Sequence, residues 1–203
     1  MSDRARADHD LVSVVAACAK AFGAHFGLVL REPRHSAAFR EALGALHQGT
    51  GFFLSIKRDV LLGKALGAQG LHLGGGPFDP ELVAHARREG LVVSAAAHSE
   101  ADLRDATRLG ISAVLVSPIF AVPGKGPERG LGALTEARRL APDAAVFALG
   151  GITPATAAAC YEAGAHGIAV QRALLDATDP VAAARALLPR EIAEHDLRSS
   201  SPL

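Results

Sequence analysis

Short, near-continuous apolar runs alternate along this chain with longer amphipathic segments rich in alanine. The runs are Gly27–Glu32, Gly51–Ile56, Gly70–Leu73, Leu91–Ala97, Ala113–Phe120, Ala145–Leu149 and Gly167–Val170. Positions that stay apolar consecutively, rather than at every second residue, fit parallel strands covered on both faces. The intervening segments predict helices over Ser36–Gln48, Arg58–Leu66, Asp79–Arg88, Glu100–Leu109, Leu131–Leu140, Pro154–Glu162 and Val181–Leu188, preceded by an opening helix over Leu11–Phe22. Punctuation agrees with these bounds. Asp79-Pro80, Ser99-Glu100 and Thr153-Pro154 each place a capping residue before a helix start, and Gly90, Gly110 and Gly164 follow helix ends. Three related phrases, starting at Leu66, Leu109 and Ala163, each read as helix end, left-handed glycine, then strand.

A repeated βα unit closes into a barrel or stays an open doubly wound sheet. Uniformly short connections, and a Gly150-Gly151 pair late in the chain rather than an early nucleotide loop, favour a TIM-type (β/α)8 barrel. The count is seven strands where eight are expected. A helix-like segment opens the chain where a first strand belongs, Met1–Asp10 offers no apolar run, and the tail is too polar to substitute. An open barrel and a chain lacking its natural beginning both fit that count, with the gap covered by dimerisation or by Met1–Asp10. The expected domain runs over 7–190, followed by a polar tail at 191–203.

Composition narrows the function classes. With 203 residues, 49% of them hydrophobic, the chain can bury a large single core. Its 21 basic and 21 acidic side chains balance, without the basic block that nucleic-acid binding uses. No apolar run approaches the roughly 18 residues needed to span a membrane, and no cleavage signal follows the polar start, so a cytoplasmic location is expected. Cys18 and Cys160 lie in alanine-rich stretches without a Cys or His at ligand spacing, which predicts buried thiols and no metal site.

Candidate chemistry concentrates at strand ends. In the segment Val146–Pro154 a strand runs into Gly150-Gly151, then a Thr cap and a Pro at the first helical position. Paired glycines allow close backbone approach and leave amide donors for an anion; the plainer reading is a tight turn. The next strand ends at Gln171-Arg172, before a one-turn helix over Ala173–Leu175 whose first amides would face the same anion. Gly150, Gly151, Gln171 and Arg172 are therefore the predicted phosphate-binding residues, the arrangement common to barrels of this type. Gly151→Val is expected to abolish binding with the fold largely intact. A Gly/Pro-rich loop over Ser117–Leu131 carries Lys125 and Arg129 and reads as a ligand clamp or a solvated connector. His72 and His98 stand at strand ends, as structural hydrogen-bonding residues or as proton carriers.

These residues converge on a known family. Gly67–Gly74 (GAQGLHLG) resembles the GADGVHLG phrase of thiamine-phosphate synthases and the related TenI proteins. His98-Ser99 resembles their HS phrase, Ser117–Phe120 their GPIF, Leu149–Ile152 their IGGI, and Gly164–Val170 their GADGVAV. The resemblance runs in order from about Leu11 to Leu188. It implies a (β/α)8 barrel, usually dimeric. The synthases join hydroxymethylpyrimidine diphosphate to a thiazole phosphate with Mg²⁺, releasing pyrophosphate; TenI relatives lack that activity, and some tautomerise the thiazole phosphate.

Departures from the pattern change the expected activity. In place of QLREK stands Val29–Pro33, which keeps Arg31 but loses the Gln and Lys. In place of NDR stands Lys57-Arg58-Asp59, putting Arg58 at the metal-binding Asp, and the second metal carboxylate falls within Gly75-Gly76-Pro77. A strand serine becomes Ala96, and TPTK keeps only its lysine, Lys125. The tautomerase histidine aligns with Pro118, leaving His98 as the nearby proton carrier. The expectation is a TenI-like protein of thiamine biosynthesis that binds thiazole phosphate or thiamine phosphate, with synthase chemistry impaired and the family's Mg²⁺ without matched ligands. An active synthase or tautomerase using Lys125, Arg31 and His98, and a non-catalytic regulatory barrel, are the alternatives. The expected partner is a phosphorylated small molecule, with neither nucleic acid nor membrane and with a possible homodimer.

Overall fold

The computed structural model describes residues 4–31 and 37–189, with backbone only over 4–10. Seven strands form one parallel sheet in sequence order: β1 (Gly27–Leu30), β2 (Phe53–Lys57), β3 (Gly70–His72), β4 (Val92–Ala97), β5 (Ala113–Val116), β6 (Ala145–Leu149) and β7 (Gly167–Ala169). The helices are α1 (Arg4–Phe22), α2 (Ala37–Thr50), α3 (Val60–Ala65), α4 (Pro80–Arg88), α5 (Glu100–Arg108), α6 (Gly132–Leu140), α7 (Pro154–Glu162), α8 (Arg172–Leu175) and α9 (Pro180–Arg185).

Two cores lie between the sheet's outward face and the helices. Outward-pointing Leu71, Val93, Ala95, Val114, Val116 and Val146 pack on α4–α7, while Leu54 and Ile56 join Val15, Leu43 and Phe52 in a second cluster under α1 and α2. The opposite face is more open: Phe53 and Val92, at the N-terminal ends of their strands, are 38% and 42% exposed.

The three repeated phrases have one physical explanation. Gly67, Gly110 and Gly164 are left-handed, at φ +69°, +61° and +99°, and turn each helix back into the sheet. The residue two positions later donates its N–H to the preceding strand: Gln69 to Leu54 O (3.0 Å), Ser112 to Val93 O (2.9 Å), His166 to Val146 O (2.8 Å). In two repeats its side chain also accepts that strand's N–H, through Gln69 Oε1 from Leu54 (2.9 Å) and His166 Nδ1 from Val146 (2.8 Å). At the following position Gly70 and Gly167 leave room for the rings of Phe53 and Phe147, which lie 2.9 Å and 2.6 Å from where a β-carbon would stand.

Helices close around the missing strand position although the sheet does not. β1 and β7 end the strand order, but α1 packs against both α8 and α9. Cys18 Sγ donates to Pro180 O at 3.8 Å, and the Arg185 guanidinium lies over the Phe22 ring, 5.6 Å from its centroid. Arg4–Asp10, expected as a candidate cover for the gap, is the first turns of α1. Strand ends shift by a few residues: β5 stops at Val116, before Pro118, and β7 at Ala169. Glu32, Ser36 and the tail over 191–203 lie outside the described residues.

Candidate functional site

Parallel strands put the residue after every strand on one rim, where each predicted site residue of the sheet falls. Arg31 follows β1, Lys57 ends β2, His72 ends β3, His98 follows β4, Ser117 follows β5, Gly150 follows β6, and Gln171-Arg172 come just after β7. Arg31, His98, Gly151, Gln171 and Arg172 are exposed there, and Lys57 and Gly150 half-buried.

Gly150 and Gly151 both have positive φ, +100° and +67°. Packing requires glycine at both positions. A β-carbon on Gly150 would stand 2.9 Å from Pro118, and one on Gly151 would stand 2.8 Å from Phe120 O and Ala121 O. The loop after β5 is bound to this turn by Ile119 N–H to Leu149 O and Phe120 N–H to Gly150 O, both 3.0 Å. The N–H groups of Gly150, Gly151 and Ile152 have no hydrogen-bond acceptor among the described residues. Successive amides freed by left-handed glycines make a concavity for an anionic oxygen. Ser117 Oγ, fully buried and without a hydrogen-bond partner, lies 3.4 Å from the Gly150 β-carbon position. Its placement was not legible in the sequence, where Ser117 stands at the glycine of GPIF.

His98 is oriented by its surroundings. Its Nδ1 lies 3.0 Å from Ser117 O. A carbonyl only accepts, so Nδ1 carries a proton and donates it there, which leaves Nε2 on the side toward Gly75. His72 is buried, with Nδ1 3.1 Å from Ser94 Oγ, which in turn donates to Leu71 O at 3.5 Å. Burial, with the positive charges of Arg31 and Lys57 nearby, pushes the His72 imidazole down to about 4. It is therefore a neutral, structural histidine at pH 7.

In the long loop Arg129 is anchored and Lys125 is exposed. Arg129 donates from Nη1 to Ala97 O (3.2 Å) and from Nη2 to Glu136 (3.5 Å), while its N–H bonds Pro118 O at 2.8 Å. Lys125 is exposed at the tip of a turn closed by its own N–H to Val122 O, 3.1 Å. The fold brings Lys125 onto the loop beside His98 and Gly150 in the strand order without placing it against either.

Mg²⁺ demands several oxygen ligands, and the described residues gather no such set. Lys57 and Arg58 occupy the end of β2, and Gly74–Pro77 follow β3. The carboxylates closest in sequence are committed to backbone N–H groups: Asp59 to Leu62, Asp79 to Glu81 and Leu82, Asp102 to His98 and Ser99. Among the described residues no group of three His, Cys, Asp or Glu side chains could hold a metal ion.

A curled parallel sheet with alternating helices on its outer face, and its candidate residues at the C-terminal strand ends, is the architecture of the α/β barrels. Residues 2–174 match the family described as thiamine monophosphate synthase. The chain is similar to the thiamine-phosphate synthase of Roseiflexus castenholzii, 34% identical over 191 residues covering 91% of this chain and 82% of that protein. It is also similar to that of Bordetella bronchiseptica, 39% identical over 168 residues covering 77% and 76%. Its fold is similar to that of the thiamine phosphate pyrophosphorylase from Pyrococcus furiosus, with TM-score 0.73, 23% identity and coverage of 91% and 90%. The chain belongs to the thiamine-phosphate synthase/TenI family. Among the described residues no helix is long and apolar enough to cross a membrane.

Proposed function

We propose that this protein binds a phosphate ester of the thiazole phosphate or thiamine phosphate class, and that it does not run the magnesium-dependent synthase reaction. The observation that carries the reading is the contrast between the two sides of the rim. On the β6–β7 side the left-handed glycine pair offers unengaged amides, with Arg172 at the next strand end to supply a charge-assisted hydrogen bond. On the β2–β3 side Asp59 and Asp79 accept from helix-start N–H groups, and among the described residues no group of three His, Cys, Asp or Glu side chains could hold a metal ion. Departure of pyrophosphate leaves negative charge that must be neutralised as it forms, and on this side of the rim the described residues offer the side-chain cations Arg31, Lys57 and Arg58 in place of a metal. Titration calorimetry with thiazole phosphate and thiamine phosphate tests the binding. Saturable heat with either supports the reading, and no heat from either at millimolar concentration removes it.

A second reading keeps catalysis of a different kind. The free Nε2 of His98 is a competent proton acceptor at the rim, which supports proton transfer on a bound thiazole phosphate with Arg31 and Lys125 on the anion. Exchange of ligand C–H protons into D₂O, lost in His98→Ala, separates this reading from binding alone.

A further inference from the structure

We infer that Arg129 is a positioning residue for His98: it grips the carbonyls on either side of the bond that holds the imidazole, and it ties that bond to the glycine turn. The bond runs from His98 Nδ1 to Ser117 O, 3.0 Å. Both residues stand just past neighbouring strands, where the β4–β5 ladder has ended with the pair Ala97 and Val116. Beyond that pair one sheet-like bond remains, Ser117 N–H to Ala97 O at 3.2 Å. A single bond leaves two strand ends free to splay, which changes the reach from imidazole to carbonyl. Arg129 closes them. Its Nη1 donates to the same Ala97 O at 3.2 Å, and its main-chain N–H donates to Pro118 O at 2.8 Å. One residue thus holds the carbonyl just before His98 and the carbonyl next after that of Ser117. The main chain of His98 is held from α5 as well, by Asp102 Oδ2, 2.8 Å from its N.

The choice of arginine follows from this geometry. Its side chain is 15% exposed, in a loop whose residues 123–128 are exposed. The planar fork reaches Ala97 O with one amino group and Glu136 of α6 with the other, at 3.5 Å. The charge set against the strand ends is therefore balanced from the helix behind it. Lysine would bring the charge without the fork, and glutamine neither. The same segment extends to the glycine turn. Gly130 N–H bonds Ile119 O at 3.0 Å, beside the Arg129–Pro118 bond, and Ile119 and Phe120 donate in turn to Leu149 O and Gly150 O. His98 and Gly150 are thus joined through one layer of main chain, and Lys125 lies outside it at the exposed tip. The inference rests on the proton-transfer reading above only for what His98 would do to a ligand, because the ring is held in the protein without one.

Nitrogen-15 NMR of the imidazoles in the full chain reads the placement, at about pH 8.5, roughly two units above the ordinary imidazole pKa. His98→Gln identifies the resonances. A neutral ring carries its proton on one nitrogen only, and the protonated and bare nitrogens differ widely in shift. The Nδ1-protonated form of His98 should exceed the other by roughly fivefold or more, the bias of one net hydrogen bond. Arg129→Gln should lower that ratio by roughly threefold or more, with Arg129→Lys between it and wild type. Glu136→Gln is the control. It removes the charge behind the guanidinium and leaves both bonds from Arg129 to carbonyls, so the ratio should hold even where the melting temperature falls. Circular dichroism establishes that each variant is folded, and if Arg129→Gln is not, Arg129→Lys decides by the same ratio. Three results overturn the inference: a His98 protonated on Nε2 in the wild type, an unchanged ratio in the folded Arg129 variant, or an equal change in Glu136→Gln. Exchange of thiazole phosphate C–H protons into D₂O keeps the two claims apart. Exchange that slows in Arg129→Gln at unchanged KM supports both, whereas a shifted tautomer ratio without exchange in the wild type removes the proton-transfer reading and leaves the placement by Arg129 standing.

Discussion

Gly151→Ala isolates the role of the turn after β6. The new β-carbon would lie 2.8 Å from Phe120 Cβ, Phe120 O and Ala121 O, where ordinary contact is 3.4–4 Å. Relief requires moving the loop that Ile119 and Phe120 tie to Leu149 and Gly150 through two hydrogen bonds. Each bond contributes about 1 kcal/mol, and an alanine held at φ +67° costs about 1 kcal/mol more. The loss should therefore be about 2–4 kcal/mol, a fall in Tm of roughly 5–15 °C for a domain of this size. Gly90→Ala is the matched control. Its φ is +77° with no atom within 4 Å, so it should lose only the conformational part, about 1 kcal/mol. Urea unfolding of both variants measures the difference. Equal losses would refute the packing argument. The same geometry revises the expectation for Gly151→Val: its effect on binding would come with a disrupted loop, so the milder alanine and Arg172 are the informative positions.

Arg172→Ala, at an exposed side chain, should weaken thiazole phosphate binding by about 1–3 kcal/mol with an unchanged melting curve; calorimetry and unfolding together check both halves. His72 adds a pH dependence. Its folded pKa of about 4 lies below the ordinary 6.5, so the unfolded chain binds the extra proton first. The contribution is whole above pH 6.5 and is lost as pH falls toward 4, by up to about 3 kcal/mol. Urea unfolding at pH 7 and 4.5 should show a smaller acid loss in His72→Gln than in wild type, and identical losses would exclude His72 as the cause. Hydrogen exchange tests the sheet edges: amides of Gly27–Leu30 and Gly167–Ala169 should exchange faster than those of Val92–Ala97, and equal protection in a monomer would mean that the edges are covered.

Much of this architecture was legible because the signals were local. The helix starts at Asp79, Ser99 and Thr153, and the left-handed glycines at 90, 110 and 164, stand where their chemistry predicts. The seven strands followed from runs buried on one face by helices and on the other by inward neighbours. The longer α1 was missed because Arg4–Asp10 has no apolar face, and the early end of β5 because an apolar Ile119-Phe120 follows Pro118. Of the candidate site, the strand-end positions were legible: Gly150, Gly151, Arg172 and His98 stand just beyond strands, as the apolar runs predicted. Long-range packing did not appear in the sequence: the loop seated on the glycine turn, the orphaned Ser117 hydroxyl, and the Ser117 carbonyl that sets the His98 tautomer.

Pyrophosphate release from hydroxymethylpyrimidine diphosphate and thiazole phosphate is the most direct test of the central claim, that this family member keeps an anion-binding rim without the magnesium chemistry. The account predicts no Mg²⁺-stimulated release by the purified protein under conditions where thiazole phosphate saturates it. Steady release that requires Mg²⁺ and stops with EDTA would contradict it.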